Sequence, residues 1–599
     1  MQPTVATVSA LTSNQRALLP IVQVDIVGTG SVTRKANAFL DSGAQISLIR
    51  SSLAEDVKLR GKSVVVTITK VGGEEEALKT IMYPIQLRSL EDCSAHVIDA
   101  IGIPSISDDV AEVEITDIAK KLGLNRHQLH LGHGQTDLLI GPDLLNDLFG
   151  VLLRFRENQV AFLGDISKMY HRIRILEMDQ QVHRFLWRNL ETHLEPGVYV
   201  KTVLTLGDRP APAMAQTALR KTTKEAKATF PAAAKVIEDN TYMDDICDSV
   251  STVKEAKKLT TDLDSVLQTG GFQVKGWVSN RIEETENRQQ EVSPQGITVE
   301  KVLGVVWLSE RDTLSFKVPA DFPEGKEMVQ LSKRKILSRV AQSIAFLIKA
   351  KIGLQTLWKR GISWDEDLPS EVLEKWKTLF EEMVQLNGVR FERCLTPPDA
   401  VGQPILCVFS DASEEAFGPC AYARWQLSSR EFGVRFIAAK SRVAPLKRLT
   451  ISGLELQGAV LASRLGKTIL EECRFKFEKA VYFLDSRIVL AWICSEARRF
   501  KPFVSVRVGE IQDNSDPAEW RHIPGELNVA DEVSRGILVK NLADRWQKGP
   551  SFLRLPESEW PQDATAADQR GVEREQRAVH LVFEGNKGQL PLDCKKFSS

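Results

Sequence analysis

Two adjacent carboxylates, Asp244 and Asp245, occur between short β-favouring runs in the stretch Asn240–Asp248. This pattern predicts a tight hairpin with both acids at its bend. Like charges held side by side are costly unless a cation neutralises them, and carboxylate oxygens are ligands that suit Mg²⁺. The stretch therefore favours a fold that supports a metal site for phosphoryl transfer, although an acidic pair by itself is also typical of a solvated surface turn.

A third acid, Asp165, follows the apolar run Val160–Leu163, which predicts a buried strand. Residues Ile166–Ile173 predict the start of a helix. We expect Asp165 and Asp244 to bridge two metal ions about 4 Å apart, with Asp245 alongside. One ion would activate a primer 3′-hydroxyl, and the other would stabilise the leaving pyrophosphate.

The segments Gly164–His171 and Tyr242–Asp245 resemble the reverse transcriptase palm of the BEL/Pao group of LTR retrotransposons. Between them, Gly207–Gln216 resembles the segment of this family that faces the template and the nucleotide. The resemblance implies that an RNA template is a substrate and that Gln216 takes part in substrate binding.

Two further residues take roles from the same resemblance. Lys275, at the end of Gly270–Lys275, would supply a cation near the triphosphate, and the ring of Tyr170 would favour deoxynucleotides. For Tyr170, a core position on a helix is an equally good interpretation.

A second set of four acids follows the order strand end, helix, strand end and helix start. The four acids are Asp411, Glu455, Asp485 and Asp531. Each alone would also fit a surface position or a helix cap. Together they match an RNase H fold, in which carboxylates converge on two Mg²⁺ ions, with Mn²⁺ as an alternative, and a water attacks the RNA strand of an RNA/DNA hybrid.

The segments around these acids, including Ala439–Pro445 and His522–Asn528, also resemble the BEL/Pao RNase H. His522 lies in the loop before the last acid. It would act as a proton shuttle, or it would only structure that loop.

Near the N-terminus, an acid in an apolar framework forms the motif Asp41-Ser42-Gly43. The segment Phe39–Ile49 resembles the catalytic loop of a retropepsin-type aspartic protease, with Val71–Glu74 as its flap and Asp137–Gly141 as its closing segment. Such a site needs two aspartates that share one proton. The chain has one such motif, so the resemblance implies a homodimer that cleaves a polyprotein peptide substrate.

Charge and cysteine usage narrow the class of protein. The 78 Lys and Arg residues balance 79 Asp and Glu residues, so nucleic acid would have to bind to local basic faces. Candidate faces are Arg220, Lys221, Lys224 and Lys227, and Lys333, Arg334, Lys335 and Arg339. Each would equally be a solvated helix face. The eight cysteines contain no Cys-x-x-Cys pair, which argues against a zinc knuckle and a disulfide framework.

No segment predicts a signal peptide or a membrane span. We therefore expect an intracellular, cytoplasmic protein without membrane partners, and the family resemblance associates it with virus-like particles.

The expected fold is multidomain: an all-β retropepsin-like domain, an α+β reverse transcriptase palm fragment with a helical connection, and an α/β RNase H-like domain. The expected units are residues 1–141 (protease), 142–310 (truncated palm), 311–400 (helical thumb or connection), 401–545 (RNase H) and 546–599 (a polar, disordered tail). We expect Trp358, Trp364 and Trp376 of the helical region to be packing residues, with stacking on nucleic acid as the alternative. Protease-like sequence passes directly into palm-like sequence at Gly141–Leu145, so the polymerase fingers are expected to be missing, and the integrase is expected to be absent.

The resemblance thus implies a retrotransposon polyprotein with aspartic endopeptidase, RNA-directed DNA polymerase and ribonuclease H activities. The missing fingers would impair the polymerase, because they close over the nucleotide. One alternative is a catalytically inactive or host-adopted remnant that binds nucleic acid, and another is a stand-alone protease.

Overall fold

A computed structural model of the protein describes residues 21–28, 32–40, 46–69, 75–88, 95–106, 135–140, 148–177, 180, 183–189, 191–205, 207–208, 211–281, 300–316, 318, 332–334, 336, 348–561 and 573–576. These residues form a mixed α/β structure of successive packed units. No helix among them is both long enough and apolar enough to cross a membrane.

The first unit is a seven-stranded sheet with one short helix, α1 (Ser51–Asp56). Its strands are β1 (Ile21–Val27), β2 (Thr33–Leu40), β3 (Ser47–Arg50), β4 (Lys62–Thr69), β5 (Glu75–Arg88), β6 (Ala95–Ile103) and β7 (Leu138–Ile140). Their order is β1-β2-β7-β3-β6-β5-β4, and β1 also pairs with β5. Ile26, Ile49 and Ile85 are fully buried in its core. The predicted β-rich character of this region is confirmed for the described residues, and its assignment to the retropepsins stays a prediction.

The candidate protease residues Asp41, Ser42 and Gly43 and the predicted flap Val71–Glu74 lie outside the described residues. The strands on either side of the flap, β4 and β5, pair antiparallel. Strand β7 lies between β2 and β3, as a closing strand would. The Arg50 guanidinium contacts Asp137 at 2.6 Å, which anchors the start of β7 to the end of β3.

The second unit contains a four-stranded sheet, a separate hairpin and four helices. Its elements are α2 (Leu148–Glu157), β8 (Val160–Ile166), β9 (Arg184–Trp187), β10 (Gly197–Val200), α3 (Ala211–Ala226), α4 (Pro231–Asn240), β11 (Thr241–Tyr242), β12 (Asp245–Val250), α5 (Val253–Thr269) and β13 (Val274–Ser279). The sheet order is β11-β12-β8-β13, and β9 pairs only with β10 in the described part of the chain.

Strand β8 is buried on both faces, as its apolar run predicts. Phe162 packs with α3, α4 and α5, whereas Ala161 and Leu163 point to the opposite face and pack with α2. The predicted helix start at Ile166–Ile173 is wrong. Lys168 has a φ of 51°, a left-handed conformation that interrupts a right-handed helix, and only a three-residue 3₁₀ helix forms at Tyr170–Arg172.

A small sheet connects the second unit to the helical region. Its strands are β14 (Glu300–Val302), β15 (Val305–Leu308), β16 (Thr313–Ser315) and β17 (Phe391–Glu392). Because β16 pairs with both β15 and β17, this sheet crosses the predicted boundary at residue 310, which is therefore misplaced. Between β16 and β17 lie the helices α6 (Ile348–Lys359) and α7 (Ser370–Gln385).

The tryptophans of this helical region divide into two kinds. Trp376 is buried in a core shared with the last unit, as predicted. Trp358 and Trp364 are 40% and 44% exposed and pack edge to face against each other at 5.8 Å, outside the core. The ammonium of Lys333 lies 4.1 Å from the ring centre of Trp358 and 5.1 Å from that of Trp364.

The last unit is a sheet with strand order β20-β19-β18-β22-β23 and helices on both faces. Its elements are β18 (Ala400–Ala412), β19 (Ala416–Leu427), β20 (Phe432–Ala439), β21 (Arg442–Val443), α8 (Ile451–Glu472), β22 (Lys479–Leu484), α9 (Arg487–Ile493), α10 (Pro502–Asn514), β23 (Trp520–His522) and α11 (Asp531–Arg535). Strands β18, β22 and β23 are parallel, and β19 and β20 complete an antiparallel meander with β18.

The predicted disordered tail is wrong for residues 546–561. Two 3₁₀ helices, Ser551–Arg554 and Glu557–Glu559, carry the buried side chains of Phe552 and Trp560 into the core between the sheet and α7. The last unit therefore extends beyond the predicted boundary at residue 545. The polar composition of this stretch does not predict the extension, because only a few large apolar residues within it supply the packing.

Charged side chains on α2 and at the end of α8 join the second unit to the last. The guanidinium of Arg474 lies 2.6 Å from Glu157 and 2.7 Å from Asp248, and both carboxylates are almost fully buried. Arg154 makes a second connection, to Glu472 at 2.5 Å. Burial raises the pKa values of Glu157 and Asp248, and the charge of Arg474 opposes that shift.

Replacing Arg474 with Met removes the cation that compensates two buried carboxylates. We expect the free energy of unfolding to fall by about 3–5 kcal/mol in urea denaturation at pH 8. The loss is smaller at pH 5, because carboxylates whose pKa values are raised in the folded state then take up protons and shed their unpaired charge. The control is Arg498→Met at an exposed local pair with Glu496, which should leave the free energy of unfolding unchanged at both pH values. A loss that is equal at both pH values would contradict this account.

Candidate functional site

The last unit brings four predicted acids to one edge of its sheet. Strands β18 and β22 run parallel, with Phe409 opposite Phe483. Asp411 and Asp485 each follow two residues later, so both lie at the carboxyl ends of neighbouring strands. A Cβ at Gly458 would lie 3.0 Å from the carbonyl oxygen of Asp411, so this glycine lets α8 approach β18 closely and brings Glu455 to the same edge.

Asp411 is the most perturbed of these acids. Asp411 is only 7% exposed, and burial raises the pKa of its carboxyl group to about 7. The hydroxyl of Ser534 donates a hydrogen bond of 2.5 Å to Asp411 and opposes this rise, whereas the charges of Asp485 and Asp531 add to it. Ionised Asp411 is therefore destabilised in the free protein and would gain from a nearby cation.

The charges of Asp485 and Asp531 also act on neighbouring acids of this set. Burial raises the pKa values of Glu455 and Asp485, and the charge of Asp485 adds to the shift at Glu455. Asp531 begins α11, is partly exposed and pairs with Arg535. The four carboxylates thus share one electrostatic environment.

Two supporting residues have no role in the sequence-based prediction. Asn528 is fully buried and donates from its amide to the carbonyl oxygen of Ser410 at 2.9 Å, next to Asp411. Ser534 is also fully buried, and its hydroxyl donates to the Asp411 carboxylate. A signal for Ser534 exists in its spacing, because it lies three residues after Asp531 and hence on the same side of a helical turn.

His522 ends β23, and its Nε2 lies 3.0 Å from the backbone carbonyl oxygen of Asp485. This contact holds the loop that carries Asp485. It agrees with the structural interpretation of His522, and the proton-shuttle role stays a prediction.

The second unit brings its three predicted acids together at one end of β8. Asp165 and Asp245 are directly opposite each other on β8 and β12. Met243, with a φ of 56°, forms the bend before Asp244, whose carbonyl oxygen accepts a hydrogen bond of 2.8 Å from the backbone of Ile166. Burial raises the pKa of Asp244, and the charge of Asp165 adds to this rise.

Lys275 compensates this concentration of negative charge. Its ammonium lies 2.8 Å and 2.9 Å from the two oxygens of Asp165. Lys275 is predicted to lie near a triphosphate, and in the free protein its ammonium pairs with a carboxylate.

Gln216 and Tyr170 lie against the same hairpin and core. Gln216 is buried and donates from its amide to the carbonyl oxygen of Met243 at 2.9 Å, so it supports the bend that presents Asp244. Tyr170 is partly buried and packs against the core of this unit and against the cluster of Ile175 and Leu204. Burial raises the pKa of its hydroxyl, and the charge of Asp244 adds to the effect.

Neither acidic set is a ready-made metal cage. Within the residues that the structure describes, no group of three or more His, Cys, Asp or Glu side chains is arranged to hold a metal ion. The oxygen ligands nevertheless have the chemistry that Mg²⁺ requires, and their mutual repulsion is what a cation would relieve. Both sets therefore fit a divalent cation by donor chemistry.

The predicted basic faces are partly used within the fold. Lys227 pairs with Glu238 at 2.8 Å, and Lys333 is buried against tryptophan rings, so neither presents a free charge along a phosphate track. Lys221 and Lys224 are exposed on α3. Lys335 and Arg339 lie outside the described residues.

Residues 332–486 match the family model of the Pao retrotransposon-like RNaseH-like domain. The match covers about a quarter of the chain and contains Asp411, Glu455 and Asp485. No match was found among curated proteins.

Three similar solved structures are those of a foamy viral protease-reverse transcriptase. The complex with an RNA/DNA hybrid is 12% identical, covers 85% of this chain and 76% of that chain, and has a TM-score of 0.39. The complex with dsDNA is 14% identical, with 79% and 80% covered and a TM-score of 0.40. The "dRH" form with ds DNA is 12% identical, with 85% and 99% covered and a TM-score of 0.38. These TM-scores are below 0.5, so the similarity does not by itself establish a shared fold.

The pKa of Asp411 makes stability depend on pH. The folded-state value of about 7 lies above the ordinary value of 3.8, so ionisation costs more in the folded state and stability falls as pH rises from about 4 to about 7. We expect Asp411→Asn to be about 2 kcal/mol more stable than the native protein at pH 8 in EDTA, and equally stable at pH 4. Chemical denaturation at both pH values measures this difference. Asp365→Asn, at an exposed carboxylate paired with Arg334, is the control that should show no such gain.

Proposed function

We propose that the last unit is a ribonuclease H that cleaves the RNA strand of an RNA/DNA hybrid. The observation that carries this proposal is the convergence of Asp411 and Asp485 at adjacent parallel strand ends, with Glu455 and Asp531 in the same electrostatic environment. The match of residues 332–486 to a retrotransposon RNaseH-like domain model supports it.

In this proposal, Asp411, Glu455, Asp485 and Asp531 hold two Mg²⁺ ions, or Mn²⁺, which when bound supply an activated water and stabilise the charge on the cleaved phosphate. The residues of the chain prepare that site. Ser534 favours the ionised form of Asp411, and Asn528 fixes the backbone at Ser410, beside it. His522 fixes the loop at Asp485.

The second unit supports a polymerase proposal of the same class. Asp165, Asp244 and Asp245 would hold the metal ions, and Lys275, which pairs with Asp165 in the free protein, would contact the triphosphate. We infer that the activity on an RNA template is weak if the fingers are missing, because nucleotide closure needs them. The N-terminal unit would act as an aspartic endopeptidase on a peptide only as a homodimer, with one Asp41 from each copy.

A second candidate is a catalytically inactive or host-adopted remnant that binds nucleic acid. One observation favours it: no acidic group in the described residues is preformed for a metal ion. Cleavage of RNA and extension of a primer separate the enzyme from the remnant.

The first experiment follows a labelled RNA template annealed to a DNA primer, in Mg²⁺ with deoxynucleotides. We expect the native protein to shorten the RNA and Asp411→Asn to lose this activity by more than about 100-fold, because a metal-holding carboxylate is removed. Asp513→Asn, at an exposed acid on α10, is the matched control and should keep full activity. Extension of the primer, lost in Asp244→Asn, would establish the polymerase independently. If the folded native protein neither shortens the RNA nor extends the primer, the remnant is the better description.

Metal binding can be measured apart from activity. We expect Mg²⁺ to raise the melting temperature of the native protein, because a ligand that binds only the folded state stabilises it. The increase should shrink in Asp411→Asn and again in a variant that also carries Asp165→Asn, since each substitution removes one set of ligands. Calorimetric titration with Mg²⁺ and Mn²⁺ gives the number of ions. An unchanged melting temperature at millimolar Mg²⁺ would argue against both metal sites.

A further inference from the structure

The hairpin of β9 and β10 is exposed along its whole length. All eight of its strand residues are exposed, and among the described strands each pairs only with the other. An isolated two-stranded hairpin is marginally stable in water, and exposed apolar patches commonly mark a binding site. This hairpin therefore needs either a binding partner on its surface or stabilising contacts at its base.

The anchor is at the base of the hairpin. Arg174 forms an antiparallel bridge with Val203, and the backbone N–H of Ile175 donates to the carbonyl oxygen of Thr202 at 3.0 Å. Ile175 and Leu204 are buried beneath this base, in a cluster with the start of α3. The base is thus fixed to the unit that carries Asp165 and Gln216, while the strands project into solvent.

The two faces of the hairpin differ in chemistry, because side chains alternate along each strand. One face carries Phe185 opposite Tyr199, and Trp187 opposite Gly197. The rings of Phe185 and Tyr199 are stacked at 5.9 Å with 28° between their planes, and the three aromatic residues are 40–51% exposed. The other face carries the aliphatic pair Leu186 and Val198, and next to it Arg184 opposite Val200.

Positive charge accompanies the aromatic face. Lys201 continues the hairpin by donating from its backbone N–H to His183 at 3.3 Å, so its exposed side chain emerges on the same face as Tyr199. Arg188 lies just beyond β9, and its guanidinium donates to the backbone carbonyl oxygen of Thr192 in the connecting turn at 3.2 Å. The acids of the hairpin, Glu191 and Glu195, lie in the connecting turn rather than on the strands.

We propose that this aromatic face binds single-stranded nucleic acid by stacking bases on Tyr199, Phe185 and Trp187, with Lys201 against a phosphate. Aromatic rings stack on any base, for about 1–3 kcal/mol per base, and cations beside them match the charge of the backbone. If the occupant were instead a second copy of the chain, it would be expected to cover the aliphatic face as well. The inference is independent of the ribonuclease H proposal, because an active enzyme and a remnant would use this surface alike.

The test measures the binding of a fluorescent 12-nucleotide oligodeoxythymidylate to the full chain in EDTA, where no metal-dependent cleavage interferes. We expect Phe185→Ala combined with Tyr199→Ala to weaken binding at least 10-fold, in line with the energy of stacking. The matched control, Leu186→Ala with Val198→Ala, alters the opposite face of the same hairpin and should leave affinity unchanged. Circular dichroism checks the fold of both variants. Equal losses in the two variants, or no loss in either, would overturn the proposal.

Two further readouts identify the mode of contact. Quenching of tryptophan fluorescence by the oligonucleotide should decrease in Trp187→Phe, because that ring would no longer report a stacked base. Lys201→Gln should lower the dependence of log affinity on log salt by about 0.7, the value for one cation on a single strand. Light scattering provides the competing outcome: a dimer that dissociates when Leu186 and Val198 are replaced would assign the hairpin to a second copy of the chain and would refute nucleic-acid binding here.

Discussion

A buried junction of charges fixes the relative position of the two acidic sites. Arg474 at the end of α8 reaches Glu157 on α2 and Asp248 on β12, and β12 begins with Asp245 of the first site. The helix that ends at this junction carries Glu455 of the second site. Because desolvating three charges is costly, such a junction persists only when its geometry is complete. Both sites therefore depend on a cation that belongs to neither of them.

The surrounding arginines extend this constraint into the core. Arg393 is fully buried and donates to the carbonyl oxygens of Phe155 and Asn158 while pairing with Asp312, so it ties α2 to the small sheet. Arg156 donates to the carbonyl oxygens of Phe436 and Ile437 on β20, and burial lowers its pKa to about 10. These guanidiniums donate to backbone carbonyl oxygens near the end of α2 and at a register shift within β20, which is a use of arginine that its fork of donors permits.

Sequence patterns predicted what depends on local order along the chain. The run before Asp165 marked β8, and the sequence of strand ends and helices placed Asp411, Glu455, Asp485 and Asp531 on the elements that the structure shows. The patterns did not predict Arg474 or Ser534, because their roles arise from partners 123 to 317 positions away in the chain. The helix predicted after Ile166 does not form because the backbone at Lys168 is left-handed. A lysine does not predict that conformation, which is usual only for glycine, asparagine and aspartate. The protease motif at Asp41 falls outside the described residues and stays a prediction.

The segment from Trp546 to Trp560 packs over the strands around Tyr422. The Tyr422 hydroxyl donates to the carbonyl oxygen of Trp546 at 2.7 Å, and Arg424 donates to the carbonyl oxygen of Leu553 at 2.7 Å. Phe552 and Trp560 then complete the core over Phe483. A fragment that ended between Asp531 and Trp560 would keep all four acids of the last site and still expose its hydrophobic interior. The packed unit is thus longer than its acidic site, and an expressed fragment that keeps this core closed has to extend through Trp560.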